Sequence, residues 1–369
     1  MKKHQKHTAL TRRKNGNYAP TELAILGTSC GVIEALTTQI TNHLPTYRCS
    51  YLDASHATNV AKISVATHVF HKEGTVQVTA KQALNPYAQR IQFAGDDCVF
   101  INGNHYQGTT QILVLDAEKE ASLQKRITQV DNVLFVVKKT GDTPFPAFLT
   151  AAHPAITSLA CYAIHEAEKI SNHIEKHLQE REPPLNGLVL VGGKSTRMGQ
   201  DKSALEYHGK PQKHSAKELL EAQQIPTYFS VQTATGNSDE ISDTFLNLGP
   251  FGGICSAFQK EPNTAWFVLP TDVPFVSKEL VSLLLSKRNP SKTATVVQGK
   301  DSEFLEPLIA IYEPKAYPLL LQYLAQGYAC PRKMLLNTEV EIIKVDNDLI
   351  RNINTPEAFT AAKKEIQGA

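Results

Sequence analysis

The residues best suited to carry out chemistry lie in one segment, LNGLVLVGGKSTRMGQDK, at positions 185–202. An apolar run is followed there by Gly192 and Gly193. Because glycine has no Cβ, the N–H groups of such a turn can approach phosphate oxygens closely. Three positive charges follow within nine residues, on Lys194, Arg197 and Lys202. Glycines and cations after a strand predict a triphosphate site, and their spacing differs from that of the Walker A motif.

A carboxylate is predicted beside this turn. Asp272 follows the apolar run 266–270, so it should lie at the carboxyl end of a strand, where ligands of open α/β sheets bind. In proteins, Mg²⁺ takes one or two carboxylates together with phosphate oxygens. The pattern therefore predicts that Asp272 is a ligand of Mg²⁺, with a turn or a helix cap as the structural alternative.

Four motifs in this half of the chain resemble, in the same order, those of the molybdenum cofactor guanylyltransferases, which are MobA-like nucleotidyltransferases. The family pattern L-x-G-G-x-S-x-R-M-G-x-D-K is supplied here by Leu190, Gly192, Gly193, Ser195, Arg197, Met198, Gly199, Asp201 and Lys202. The other three motifs are Gly249-Pro250 with Gly253, preceded by Asp243; PTDVPF at 270–275; and NINTP at 352–356.

This resemblance implies transfer of GMP from GTP to molybdopterin, with release of pyrophosphate and with Mg²⁺ as cofactor. It implies catalytic roles for Arg197, Lys202 and Asp272. The implied nucleotide-binding residues are Leu190, Gly192, Gly193, Lys194, Ser195, Arg197, Lys202, Asp243, Gly249 and Asp272. Asp243 would bind the guanine edge, since a carboxylate accepts from N1–H and N2–H₂. By analogy to the wider nucleotidyltransferase fold, Asn354 would help to hold Mg²⁺, although Asn-Thr-Pro is also an ordinary helix start.

Other functions stay open at this point. Base choice rests on a few pocket contacts, so a cytidylyltransferase for molybdopterin or a sugar-phosphate nucleotidyltransferase is an alternative. A non-catalytic cofactor carrier or scaffold is the alternative of another class. The expected small-molecule partners are GTP and molybdopterin, and molybdoenzymes or cofactor chaperones are candidate protein partners.

Strand and helix patterns alternate along both halves of the chain, which predicts two α/β domains. Residues 186–369 are predicted to form a Rossmann-like nucleotidyltransferase domain with a mostly parallel sheet. Residues 22–180 are predicted to form a P-loop-like α/β domain. A basic, flexible tail is expected at 1–21, and the charged stretch 172–184, which ends in Pro-Pro, predicts a linker.

The N-terminal half contains a strand, a turn from Gly27 to Gly31 and then a helical pattern. Together with the polar residues 97–105, this is similar to the P-loop GTP-binding adaptor (MobB-like) that often accompanies the guanylyltransferase. The P-loop lysine is absent, because Val32 and Ile33 follow Gly31. We therefore expect a degenerate adaptor, or else a structural domain with no site of its own. Cys30 is a candidate reactive thiol at the start of the helix.

The composition of the 369 residues excludes several classes of protein. A net charge of +2, 7% aromatic residues and a single Trp argue against nucleic-acid binding. The chain has no apolar run of about 18 residues and no apolar core of a secretory signal, so neither a membrane span nor secretion is expected. Six cysteines without a C-x-x-C pair predict free thiols in a reducing cytoplasm.

Overall fold

Strands and helices alternate through both halves of the chain. The computed structural model describes residues 18–55, 65–80, 86–191 and 202–368. They divide into two units, Met1–Arg181 and Glu182–Ala369, each with its own central sheet. Within the described ranges, no helix has both the length and the apolar character needed to cross a membrane.

The described part of the first unit contains a six-stranded parallel sheet in the order β2–β5–β1–β6–β7–β8, and a separate antiparallel hairpin of β3 and β4. The strands are β1 (Glu22–Leu26), β2 (Cys49–Leu52), β3 (Thr67–Phe70), β4 (Val76–Thr79), β5 (Cys98–Asn102), β6 (Thr110–Leu115), β7 (Val133–Lys138) and β8 (Cys161–Ala163). The helices are α1 (Cys30–Asn42), α2 (Pro86–Gln92), α3 (Glu120–Lys125), α4 (Ala147–Ala152) and α5 (Ala167–Gln179). Three central strands are buried throughout, as in parallel sheets covered on both faces.

Two boundary predictions in this unit are wrong. The predicted tail includes residues 18–21, but Ala19 is buried among the apolar residues of the sheet. The predicted linker begins at residue 172, but α5 continues to Gln179 because Ile174 and Leu178 pack into the core.

In the second unit, the described residues form a seven-stranded sheet in the order β11–β10–β9–β12–β14–β13–β15. Its strands are β9 (Leu185–Leu190), β10 (Thr227–Val231), β11 (Glu240–Ser242), β12 (Ala265–Pro270), β13 (Ala294–Gly299), β14 (Leu305–Tyr312) and β15 (Val340–Val345). Its helices are α6 (Gln212–Glu221), α7 (Pro250–Lys260), α8 (Lys278–Ser286), α9 (Ala316–Ala325), α10 (Pro331–Leu336) and α11 (Pro356–Gly368). Only β14 among these strands runs antiparallel to its neighbours, so the predicted α/β class and mostly parallel sheet are confirmed.

The core of this unit has two apolar layers, one on each face of the sheet. Side chains alternate along β12, so Trp266 and Val268 pack against α7 and α10 while Phe267 and Leu269 pack against α6 and α8. All strands except β14 end at one edge of the sheet, and β14 begins there. We call this the carboxyl edge.

The carboxyl edge has a topological switch point. The chain leaves β9 for β10 on one side and later returns to β12 on the other side. Ligands of open α/β sheets bind in the crevice that such a reversal creates. The fold therefore predicts a ligand site at the carboxyl ends of β9 and β12.

A buried ion pair holds the opposite edge of the second unit. The Arg288 guanidinium donates to both carboxylate oxygens of the fully buried Glu313, at 2.7 and 2.9 Å, and to the carbonyl oxygen of Pro183 at 2.9 Å. Removing the cation would leave a carboxylate buried without its counter-charge, which is strongly destabilising.

We expect Arg288→Met to lower the free energy of unfolding of the second unit by about 3–5 kcal/mol. Urea unfolding followed by the fluorescence of Trp266, the single tryptophan of the chain, reports on this unit. The exposed neighbour Lys287 provides the control Lys287→Met, which should change the value little. A loss of less than about 1 kcal/mol in Arg288→Met would contradict the assigned role.

Candidate active site

The last residues of three strands lie side by side at the switch point. In the sheet register, Leu190 pairs with Ser230 on one side and with Pro270 on the other. The N–H of Val191 donates to the carbonyl oxygen of Ser230 at 3.0 Å. Val191, the last described residue before the segment of the predicted glycine turn, therefore lies between the ends of β10 and β12.

Residues 192–201 lie outside the described residues. The predictions for Gly192, Gly193, Lys194, Ser195 and Arg197 thus stay predictions, as do those for Met198, Gly199 and Asp201. The chain is described again from Lys202, which begins a short 3₁₀ helix, Lys202–Ala204. The predicted catalytic role of Lys202 likewise stays a prediction.

Asp272 follows β12 by two residues, as the sequence predicts. Its carbonyl oxygen accepts a hydrogen bond of 2.8 Å from the N–H of Ile353. This bond brings the loop that contains Asn354 to the same end of the sheet. The structure thus brings together the segments of the two predicted metal ligands, which lie about 80 residues apart in the chain.

The charge of Asp272 affects two groups that the sequence analysis missed. Burial, reinforced by Asp272, raises the pKa of Tyr207 to about 12. Burial also raises the pKa of Glu306, with Arg332 opposing this shift and Asp272 adding to it. Glu306 lies near Asp272 because the antiparallel strand β14 begins at the carboxyl edge. Glu306 belongs to no sequence motif. Its position near Asp272 depends on the antiparallel direction of β14, and the spacing of apolar residues along a sequence does not reveal the direction of a strand.

Asp243 lies beside the end of β10. Its N–H donates to the carbonyl oxygen of Val231 at 2.9 Å, and its carboxylate accepts from the Ser230 hydroxyl at 3.4 Å. Burial raises the pKa of Asp243, and the bond from Ser230 opposes this effect. Ser230 was also missed, although it is the next-to-last residue of β10 and so lies at the same edge of the sheet as Asp272.

Two glycines shape the wall beside Asp243. At Gly253, within α7, a Cβ would lie only 2.4 Å from the Ser230 hydroxyl oxygen and 3.2 Å from the Cδ2 atom of Leu190. The missing side chain therefore lets α7 pack closely against the ends of β9 and β10. Gly249 precedes α7 with a φ of +57°, a backbone conformation that favours glycine.

The chemistry of the donor set suits Mg²⁺. Asp272 supplies carboxylate oxygens and Asn354 an amide oxygen, and both are hard donors of the kind that Mg²⁺ prefers. The described residues contain no group of three or more His, Cys, Asp or Glu side chains that could hold a metal ion. Mg²⁺ commonly takes one or two protein oxygens and completes its coordination with phosphates and water.

The first unit has a polar cluster at the corresponding edge of its own sheet, where β1 lies between β5 and β6. The Thr28 hydroxyl donates to Asp116 at 2.6 Å, and Lys139 pairs with Asp116 at 3.1 Å. The Cys30 sulfur lies 3.4 Å from Nε2 of His105. Ile33, close to where a P-loop would carry its lysine, is fully buried. The degenerate MobB-like adaptor and the reactive Cys30 thiol stay predictions.

The raised pKa of Asp243 predicts a dependence of stability on pH. Because the pKa is higher in the folded than in the unfolded chain, the associated stabilisation is present at low pH and is lost as the pH rises through the folded pKa. Asp243→Asn, which stays neutral, should therefore raise the free energy of unfolding at pH 7. The gain should be less than about 1 kcal/mol, since Asp243 is half-exposed and solvent screens its charge.

Urea unfolding of Asp243→Asn and of the wild-type chain, followed by Trp266 fluorescence at pH 7 and at pH 4, checks this expectation. The difference in the free energy of unfolding between the variant and the wild-type chain should be smaller at pH 4 than at pH 7. A variant that is less stable than wild type at pH 7 would contradict the assigned environment of Asp243.

The model of the MobA-like NTP transferase domain matches residues 187–341. A molybdenum cofactor guanylyltransferase from Xanthomonas euvesicatoria pv. vesicatoria is 30% identical over 191 residues, which cover 48% of this chain and 93% of that protein. A molybdenum cofactor biosynthesis bifunctional protein from Synechocystis sp. is 33% identical over 183 residues, 48% of this chain. The match spans about half of that relative, 53% of its length.

A solved structure is also similar, that of molybdopterin-guanine dinucleotide biosynthesis protein A from Archaeoglobus fulgidus. It has 23% sequence identity and a TM-score of 0.42, and the match covers 50% of this chain and 100% of that one. The family model and the high coverage of the Xanthomonas relative agree with the four sequence motifs. Through its second unit, this chain belongs to the family of MobA-like NTP transferases.

Proposed function

We propose that the second unit transfers GMP from GTP to molybdopterin and releases pyrophosphate. The observation that carries the proposal is the pairing of Leu190 with Pro270 at the switch point. It gives the predicted glycine turn and the Asp272 loop a common starting point at the carboxyl edge. Relatives in the same family are molybdenum cofactor guanylyltransferases, which supports the choice of donor and acceptor.

In this reaction, an oxygen of the terminal phosphate of molybdopterin attacks the α-phosphorus of GTP. A new P–O bond forms, the bond from the α-phosphorus to the oxygen bridging to the β-phosphate breaks, and pyrophosphate leaves with that oxygen. Such a transfer needs positioning and charge neutralisation rather than a protein nucleophile. The N–H groups of Gly192 and Gly193 would bind phosphate oxygens, while Arg197 and Lys202 would balance the charge of the triphosphate.

Asp272 and Asn354 would hold Mg²⁺. When bound, the ion neutralises charge on the phosphate oxygens. The charge of Asp272 acts on the nearby Tyr207 and Glu306, whose pKa values are raised chiefly by burial. This arrangement favours an ion that neutralises Asp272 and the phosphates together.

Asp243 would select the base. Its two carboxylate oxygens can accept from N1–H and N2–H₂ of guanine, whereas cytosine presents a single amino donor beside an acceptor. The Ser230 hydroxyl at 3.4 Å and the backbone bond to Val231 hold the carboxylate in place.

The proposed setting is the cytoplasm, which the six free cysteines support. Molybdoenzymes or cofactor chaperones would receive the product.

Pyrophosphate release tests the proposed donor. The full chain is incubated with Mg²⁺, molybdopterin and each of GTP, CTP, ATP and UTP in turn. We expect GTP to give the fastest release, because guanine offers the two donors that Asp243 accepts. Exclusive use of CTP would contradict the role of Asp243, and no release with any nucleotide would favour the carrier hypothesis.

Asp272→Ala should lower turnover more than about 100-fold, since even groups that only support metal ligands typically contribute 10- to 100-fold. The control is Glu303→Ala, which removes an exposed carboxylate from the loop at the same edge and should leave turnover unchanged. Trp266 fluorescence confirms that both variants are folded. Wild-type turnover in Asp272→Ala would dismiss Asp272 as the metal ligand.

A further inference from the structure

A cation without a role in the proposed triphosphate site lies at the carboxyl edge. Arg332, in the first turn of α10, contacts three consecutive residues at the start of β14. Its Nε–H donates to the carbonyl oxygen of Leu305 at 3.0 Å, and its Nη2 lies 3.7 Å from a carboxylate oxygen of Glu306. The guanidinium also lies over the ring of Phe304, 5.7 Å from its centroid. These contacts hold the guanidinium in one place.

The position of Glu306 relates Arg332 to the proposed site. Strands β12 and β14 are antiparallel, with Val268 paired with Ala310. Glu306 is the second residue of β14, so it lies at the carboxyl edge, where β12 ends two residues before Asp272. The electrostatic effect of Asp272 on Glu306 agrees with this proximity. Arg332 is therefore separated from Asp272 by one acidic side chain, on the side of β12 away from the glycine turn.

Arg332 makes fewer ion pairs with carboxylates than Arg351, a second arginine at this edge. Arg351 pairs with Glu365 at 2.6 Å and with Asp348 at 3.7 Å. Across the described part of the chain, the ion pair of Arg332 is with Glu306 alone, at a distance longer than a hydrogen bond. The Arg332 side chain is 40% exposed and that of Glu306 is 24% exposed. Arg332 thus keeps donors that a second anion can reach.

The proposed reaction needs a cation in this place. The terminal phosphate of the acceptor must approach a triphosphate of the same sign of charge. The predicted cations Lys194, Arg197 and Lys202 all belong to the triphosphate side. An arginine suits the other side, because its planar fork binds two oxygens of one phosphate. Phe304, an exposed residue, contributes a ring beside the guanidinium, which itself stays 40% exposed.

We infer that Arg332 binds the terminal phosphate of the acceptor, and that Glu306 and Phe304 position its guanidinium. This inference rests on the proposed function and names the acceptor side of the same site. Arg332 contacts the substrate, whereas Glu306 and Phe304 act through Arg332. No covalent step is assigned to any of the three residues.

The test uses the full chain and molybdopterin. Binding of molybdopterin is titrated by its pterin fluorescence without GTP, and pyrophosphate release is measured with molybdopterin or GTP varied in turn. In Arg332→Gln, the Kd and KM for molybdopterin should rise about 10- to 100-fold, the usual effect of losing a charged hydrogen-bonded contact. The KM for GTP should stay within about twofold of wild type, because the triphosphate side is untouched.

Two further variants separate binding from positioning. Glu306→Gln should raise the KM for molybdopterin by a smaller factor than Arg332→Gln, because the guanidinium remains but is held less firmly. Arg332→Lys keeps the charge and loses the fork, so its KM should fall between those of wild type and Arg332→Gln. The matched control is Lys333→Gln, which removes the neighbouring cation, located over the ring of Tyr328 at 5.3 Å, and should leave both KM values unchanged.

An unchanged KM for molybdopterin in Arg332→Gln, an equal rise in the KM for GTP, or an equal effect of Lys333→Gln would overturn the inference. If Trp266 fluorescence shows that Arg332→Gln is unfolded, Arg332→Lys decides by the same criterion. A wild-type chain that binds molybdopterin without releasing pyrophosphate would refute the proposed transfer alone, and the titrations would still test Arg332. A wild-type chain that does not bind molybdopterin would refute both.

Discussion

The parallel pairing of β9 with both β10 and β12 is the constraint on which the candidate site depends. It aligns Ser230, Leu190 and Pro270 at one edge of the sheet. Asp272 and Asp243 then lie beside strands that end at this edge, and Gly253 packs closely against Leu190 and Ser230. The buried apolar layers on both faces fix the relative positions of these strand ends.

Three acidic groups lie at this edge, and burial makes the ionised forms of two of them costly. The pKa values of Asp243 and Glu306 are both raised, in each case chiefly by burial. Carboxylates that are retained under such conditions are typical of functional sites, where stability is lost in favour of binding. In the proposed function, Mg²⁺ would neutralise Asp272 and guanine would donate to Asp243, while Arg332 pairs with Glu306.

Much of this architecture is predictable from local patterns. The apolar run 265–270 coincides with β12, and the rule that ligands bind at strand ends leads directly to Asp272. Glu306 and Arg332 could not be found in this way, because their proximity depends on the reversed direction of β14 and on the packing of α10 beside its start. The burial of Ala19 and the true start of the linker were missed because tertiary packing outweighed a basic or charged composition. The glycine turn itself, at 192–201, rests on the sequence alone.

A crystal structure of the full chain with GTP and Mn²⁺ in place of Mg²⁺ tests the central claim most directly, because anomalous scattering locates the metal independently of the phosphates. We expect the metal to be bound by a carboxylate oxygen of Asp272, with the triphosphate against the backbone of Gly192 and Gly193. A metal bound by other side chains, or a triphosphate away from the ends of β9 and β12, would contradict the account.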